Sequence, residues 1–263
     1  MTDAPPDPAA GMALREARDG AVLVLTLDYP ARRNALALPL RERMAEVLEA
    51  AEGDPGVRAV VVTGAGGIFC SGGDISSMDV SSALGGRERL RRVHRVIRLL
   101  AAGSKPVVAA VEGYCVGAGL SLACACDVIV AAEDARFAAG FGKVGLMPDL
   151  GLPFTLPARI GAGRAKGFFL FHRQVAAPEA ERIGLADEVV PRGEALPVAT
   201  ERAHFLAQQA PAPMALTKAM LAAGLDAALE AERHYQTTLF LSADHHEGRD
   251  AFLAKRDPTF TGG

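Results

Sequence analysis

Four short apolar runs constrain this chain more than anything else in it: Ala21–Leu27 (AVLVLTL), Val57–Thr63 (VRAVVVT), Pro106–Val111 (PVVAAV) and Val128–Ala132 (VIVAA). Each has the length of a strand, and three are nearly unbroken apolar sequence, the pattern of strands covered on both faces. Helical spacing fills the gaps between them. Leu36, Leu40, Met44, Val47, Leu48 and Ala51 form one stripe before the second run. Leu90, Val93, Ile97 and Leu100 form another before the third, with Arg87, Arg91, Arg95 and Arg98 mostly outward. Strands alternating with helices predict an α/β core with parallel strands. From Ile160 onward helical segments dominate, including Pro178–Ile183 and a long run around Leu225–Ser242. The expected division is a disordered tail over 1–12, a core over 13–200 and a helical C-terminal region over 201–263.

Composition removes several alternatives. Half of the 263 residues are apolar and 22% are charged, too much core-forming material for a disordered chain. Lys+Arg 28 against Asp+Glu 31 leaves −3, which argues against nucleic acid as the main ligand. The uncharged run Gly113–Cys126 is interrupted by glycines and is too short to span a bilayer. The N-terminal MTDAPPDPAA has neither a signal-peptide nor a transit-peptide character, so a cytoplasmic location is expected. Cys70, Cys115, Cys124 and Cys126 make no CxxC pair and sit in apolar or Gly-rich surroundings. They read as small hydrophobes in a reducing compartment, with no metal site.

The common motifs fail at identifiable positions. Gly64-Ala65-Gly66 and Gly117-Ala118-Gly119 both start a dinucleotide fingerprint, but Phe69 and Leu122 stand where the third glycine belongs. Gly142-Lys143 has Phe137 where a P-loop needs its first glycine. What remains are two glycine turns, Phe69–Asp74 (FCSGGD) and Gly113–Gly119 (GYCVGAG), each following a strand. Glycines there either merely permit tight turns or let a ligand approach backbone N–H groups closely. Two amides aimed at one point would make an oxyanion hole.

Taken together, these segments resemble the crotonase (enoyl-CoA hydratase/isomerase) family. The resemblance rests on Arg33-Asn34-Ala35-Leu36, on GAGGIFCSGGDI (64–75) and on KPVVAAVEGYCVGAGLSLACACDVIVAAEDARF (105–137). It continues through LGLPFTLPARIG (150–161), Ala177–Val190 and the C-terminal EGRDAFLAKRDPTFTGG. It implies a spiral of repeated ββα units with a helical C-terminal trimerisation region, a homotrimer or hexamer, and an acyl-CoA thioester as substrate. Coenzyme A is then part of the substrate, and no separate cofactor is expected. The resemblance puts the oxyanion-hole amides at Gly73 and Ala118, and coenzyme A contacts at Arg33, Ala35, Cys70, Ser71, Gly73, Asp74 and Ile75. At Cys70, Ser71 and Gly73 the main chain would meet the adenine. The six arginines of Arg87–Arg98 are a solvated face or a help in drawing in the phosphates. The Lys that some members use on those phosphates has no match, since Thr261 follows Phe260.

Departures from the family pattern point to the reaction. Family hydratases hold water between two glutamates; Ser121 and Phe141 occupy those positions here. A serine and a phenyl ring cannot share general acid–base work on water. Asp149 stands where family isomerases carry a single acid. It is either the proton shuttle or only the N-cap of the next helix. Ser121, Phe141, Leu146 and Phe154 are the expected acyl-pocket lining, Met147 a further apolar neighbour. The implied activity is an acyl-CoA isomerase that shifts a double bond, or rearranges a ring, through a thioester enolate. The alternatives are a hydratase-like reaction, an aryl-CoA dehalogenase or hydrolase with Asp149 as nucleophile, and an inactive acyl-CoA-binding homologue. Asp74, Asp127 and Glu112 are expected to bond loops rather than react.

Overall fold

The computed structural model describes residues 11–263, so the expected tail lies almost wholly outside the described residues. Six strands make the main sheet: β1 (Ala13–Asp19), β2 (Val22–Asp28), β3 (Ala59–Gly64), β4 (Val107–Val111), β6 (Val128–Ala132) and β9 (Glu188–Val190), in the order β1-β2-β3-β4-β6-β9. All neighbours pair in parallel except the β1–β2 hairpin. A second, three-stranded sheet runs β5 (Tyr114–Val116), β7 (Arg136–Ala138) and β8 (Gln174–Ala176). The chain passes from the large sheet to the small one in each turn: β4 leads to β5 and β6 to β7. Cys70, paired with Cys115, extends the small sheet by one rung after β3. This is a spiral of ββα units, the architecture expected.

The main sheet is covered on both sides, which explains the unbroken apolar runs. On one face Leu23, Leu25, Val60, Val62, Ala109 and Ile129 join a core shared with α1 (Leu38–Gly53), α2 (Ala83–Ala102), α3 (Ala118–Ala125) and α4 (Leu152–Ile160). On the other, Val22, Ala59, Val61, Val108, Ala110 and Val130 meet Ala195, Ala199 and Ala203 of α7 (Ala195–Ala207). Alanine at i, i+4 and i+8 lets that helix lie close on the strands. The boundary expected at 200 therefore falls inside a helix that packs on the core sheet. Behind α4 come α5 (Ala162–Leu170) and α6 (Ala177–Arg182); α8 (Pro211–Leu221), α9 (Leu225–Phe240) and α10 (Ala243–Ala254) follow α7. Helix α9 packs back on α2 and α4.

Strand β1 has no counterpart in the sequence reading. Its side chains are exposed at the sheet edge, so ALREARD carries no apolar signal. Among the described residues, no helix is long and apolar enough to cross a membrane.

One buried side chain ties the loop after β2 to the first glycine turn. Asn34 Oδ1 accepts the Tyr29 N–H at 2.9 Å, while Nδ2 donates to the carbonyls of Ala65 (2.9 Å) and Ile68 (2.6 Å). Asn34 has φ +59°, a region Asn tolerates better than most residues. Asn34→Ala removes these three hydrogen bonds and should cost roughly 3 kcal/mol, at about 1 kcal/mol per bond. Urea denaturation should show a lower midpoint with an unchanged slope.

Candidate active site

The site is assembled where the two glycine turns meet. A Cβ on Gly119 would lie 2.7 Å from both Cβ and O of Cys70, and one on Gly117 would lie 3.6 Å from Cα of Gly72. Gly72 and Gly117 adopt φ +119° and +54°. Only glycine permits both this proximity and these dihedral angles. The turns thus touch backbone to backbone, and neither the Gly73 nor the Ala118 N–H has a backbone acceptor among the described residues. Ala118 is the first residue of α3, where the helix N-terminus adds positive potential.

Both amides border a cavity of about 550 Å³. Arg33, Ala35, Ser71, Asp74 and Ile75 line it, as do Phe141, Leu146 and Asp149. The structure brings these expected residues together. Three others lie outside the lining. Cys70 is fully buried, and its main chain is spent within the fold: its N–H donates to Tyr114 and its carbonyl accepts from Val116. It presents nothing to an adenine. Ser121 is buried, its hydroxyl donating to the Asp149 carbonyl at 2.8 Å, so it fixes the acid's backbone from below. Phe154, on α4, faces away toward Gly224. Met147 is likewise absent from the lining. The arginine face of α2 is also largely committed elsewhere: Arg87, Arg91, Arg92, Arg95 and Arg98 pair with Glu230, Glu88, Glu42, Glu49 and Asp226.

Asp149 does not cap α4. That helix has Gly151 at its N-cap position and no side-chain cap. The Asp149 carboxyl is instead buried at the cavity wall, with Oδ1 unpartnered and Oδ2 3.4 Å from Gln236 Nε2. Burial, seconded by the negative charge of Glu232, pushes it up to about 7, against the opposing pull of Arg41. A carboxyl so placed exists in both forms near neutral pH, as a proton carrier must.

What holds Asp149 there comes from α9. Glu232 is 3% exposed and accepts the N–H groups of Leu150 and Gly151, both at 2.8 Å, through its two oxygens. Leu150 and Gly151 have φ +55° and +70°, so their successive amides form a small anion-binding concavity. His94 of α2 completes the support, its Nε2 2.7 Å from Glu232. Gln236 donates to the Met147 carbonyl and accepts its N–H. The sequence reading missed Glu232, Gln236, His94 and also Arg41, which lines the cavity. Their only sequence signal is polarity at helix positions facing inward, which is visible once the helices are docked.

The remaining acids bond loops. Asp74 Oδ1 accepts the Ser76 N–H and hydroxyl, Asp127 accepts from Val107 and Lys218, and Glu112 accepts the amides of Gly193 and Ala195.

This fold and residues 17–263 match the enoyl-CoA hydratase/isomerase family, and the chain belongs to it. The chain is 37% identical over 249 residues to the 1,2-epoxyphenylacetyl-CoA isomerase of Escherichia coli K12, covering 92% of this chain and 95% of that one. It is 40% identical over 244 residues to a probable enoyl-CoA hydratase of Rhodobacter capsulatus, covering 91% and 94%. The crystal structure of an enoyl-CoA hydratase from Mycobacterium avium subsp. paratuberculosis superposes with a TM-score of 0.85 at 34% identity, covering 94% of this chain and 98% of that one.

The raised Asp149 carboxyl has a cost for folding. Between the unfolded value of about 4 and the folded value of about 7, the native state binds the extra proton, so stability falls as pH rises through this window. Above it the penalty is fully present. Asp149→Asn should therefore melt higher than the wild type at pH 8, and the gap should close toward pH 4. A gap that is constant with pH would place the ionisation elsewhere.

Proposed function

We propose that this chain is an acyl-CoA isomerase that shifts a double bond, or rearranges a ring, through a thioester enolate. In this reading the Gly73 and Ala118 amides polarise the thioester carbonyl and hold the enolate oxygen. Asp149 removes a proton from one carbon and returns it to another on the same face. The observation that carries the reading is the supply of acids in the cavity. Asp74 and Asp149 are its lining carboxylates, and Asp74 is engaged by Ser76. Ser121 and Phe141 stand where a hydratase pair would hold water, and the Ser121 hydroxyl is turned onto the backbone. A single buried carboxyl titrating near neutrality suits transfer within one substrate. Arg32, Arg33 and Lys143 supply cations in the lining for the phosphates of coenzyme A.

Addition of water is the second reading, favoured by the hydratase names of relatives as similar as the one from Rhodobacter capsulatus. The two differ in mass. An isomerised 3-enoyl-CoA keeps its mass in H₂O and takes up deuterium at carbon in D₂O, whereas hydration adds one water. Asp149→Asn should fold, bind acyl-CoA about as well and lose ~10²–10⁴ in kcat, the usual worth of a general acid–base group. A fully active variant would sink the role given to Asp149. A covalent ester trapped on Asp149 would instead favour the nucleophilic chemistry.

Assembly as a homotrimer or hexamer, in the cytoplasm, belongs to the same proposal. Leu216, Met220 and Leu221 of α8 are 71–80% exposed, a cost that subunit contact would remove. Light scattering should give a multiple of three times 27.4 kDa; a single-chain mass would refute the assembly.

A further inference from the structure

Arg41, on α1, is the basic side chain sunk deepest in the cavity lining, at 6% exposure. Its Nε donates to the Leu36 carbonyl at 2.8 Å, which fixes the plane of the guanidinium. Neither Nη1 nor Nη2 enters a hydrogen bond or ion pair among the described residues, although Arg41 lines the cavity. A Cβ on Gly73 would lie 3.2 Å from Nη2, so the free end of the guanidinium stands beside the amide assigned to the oxyanion. A buried cation normally has a partner, because leaving water is otherwise costly.

The charges around it leave that partner missing. Asp149 and Asp74 act on Arg41 through space, but neither forms an ion pair with it. Arg89, from α2, faces the same two acids and adds a second positive charge. Arg32, Arg33 and Lys143 of the same lining are taken by the phosphates in the reading above, which leaves Arg41 without a partner of its own. A bound anion would supply it. Two adjacent N–H donors on a planar cation match the two oxygens of a carboxylate.

Resting on the acyl-CoA reading above, we infer that Arg41 recognises the acyl group, and that the substrate is a coenzyme A thioester whose short acyl chain carries a carboxylate. The free Nη pair beside Gly73 puts that carboxylate within a few carbons of the thioester. An apolar acyl chain of the same length would leave the guanidinium buried and unpaired.

The test is calorimetric binding of matched pairs: malonyl- against propionyl-CoA, succinyl- against butyryl-CoA, and glutaryl- against pentanoyl-CoA. In the wild type at least one pair should favour the carboxylate by about tenfold or more. Arg41→Met should erase that preference while changing the plain acyl-CoA of the pair by less than about threefold. Arg41→Gln, which keeps part of the donor set, should fall between and serves if the Met variant does not fold. Absence of any preference in the wild type overturns the inference, whatever the variants do. Equal weakening of both members by Arg41→Met also overturns it, since the guanidinium would then act on the shared thioester. If the wild type binds no thioester at all, the acyl-CoA reading itself fails, an outcome distinct from both.

Discussion

The site depends on one contact, the approach of two glycine turns to each other without any side chain between them. Cys70 and Cys115 pair as a rung of the small sheet, and Gly119 lies so close to Cys70 that a methyl group could not be added. Parallel strands β3 and β4 set the spacing of these turns, because both leave the main sheet at the same end. The free amides of Gly73 and Ala118 follow from that geometry. Donors of this kind are rigid before a substrate arrives, which is the condition under which they stabilise developing charge most.

Around those amides the protein maintains an electrostatic conflict. Asp149 is buried near the carboxylate of Glu232, and burial and this charge both make its ionisation harder. Arg41 works in the opposite direction and suffers from burial itself. Neither conflict is relieved by a direct ion pair between the two. Glu232 is the exception, since backbone amides and His94 engage both of its oxygens. The result is one acid held as scaffold next to another free to change its charge. Such strain is characteristic of working sites, which spend stability on reactivity.

The helical C-terminal region has a double position in this arrangement. Helix α9 reaches back to α2 and α4 and contributes Glu232 and Gln236 beneath Asp149. Phe252 and Leu253 of α10 stand in the cavity lining. Exposed apolar side chains on α8 point the other way, to solvent. A region that the family resemblance implies for trimerisation is thus also part of the wall and floor of its own chain's site.

The sequence by itself determined the α/β class, the four central strands and the glycine turns, because these depend on local signals: apolar runs of strand length and residues that alone permit φ above zero. It also singled out Asp149, through its place in an ordered series of motifs. Strand β1 stayed hidden, since an edge strand with exposed side chains needs no apolar pattern. Only the tertiary structure decided that Asp149 faces a cavity rather than capping α4, that Ser121 bonds its backbone, and that Cys70 and Phe154 stand apart. It also brought in Arg41 from α1, His94 from α2 and Glu232 from α9, residues separated by as many as 191 positions. Polar side chains on helices look alike in a sequence. Their meaning depends on which way the docked helix turns them, and that is set by packing between distant segments rather than by anything local.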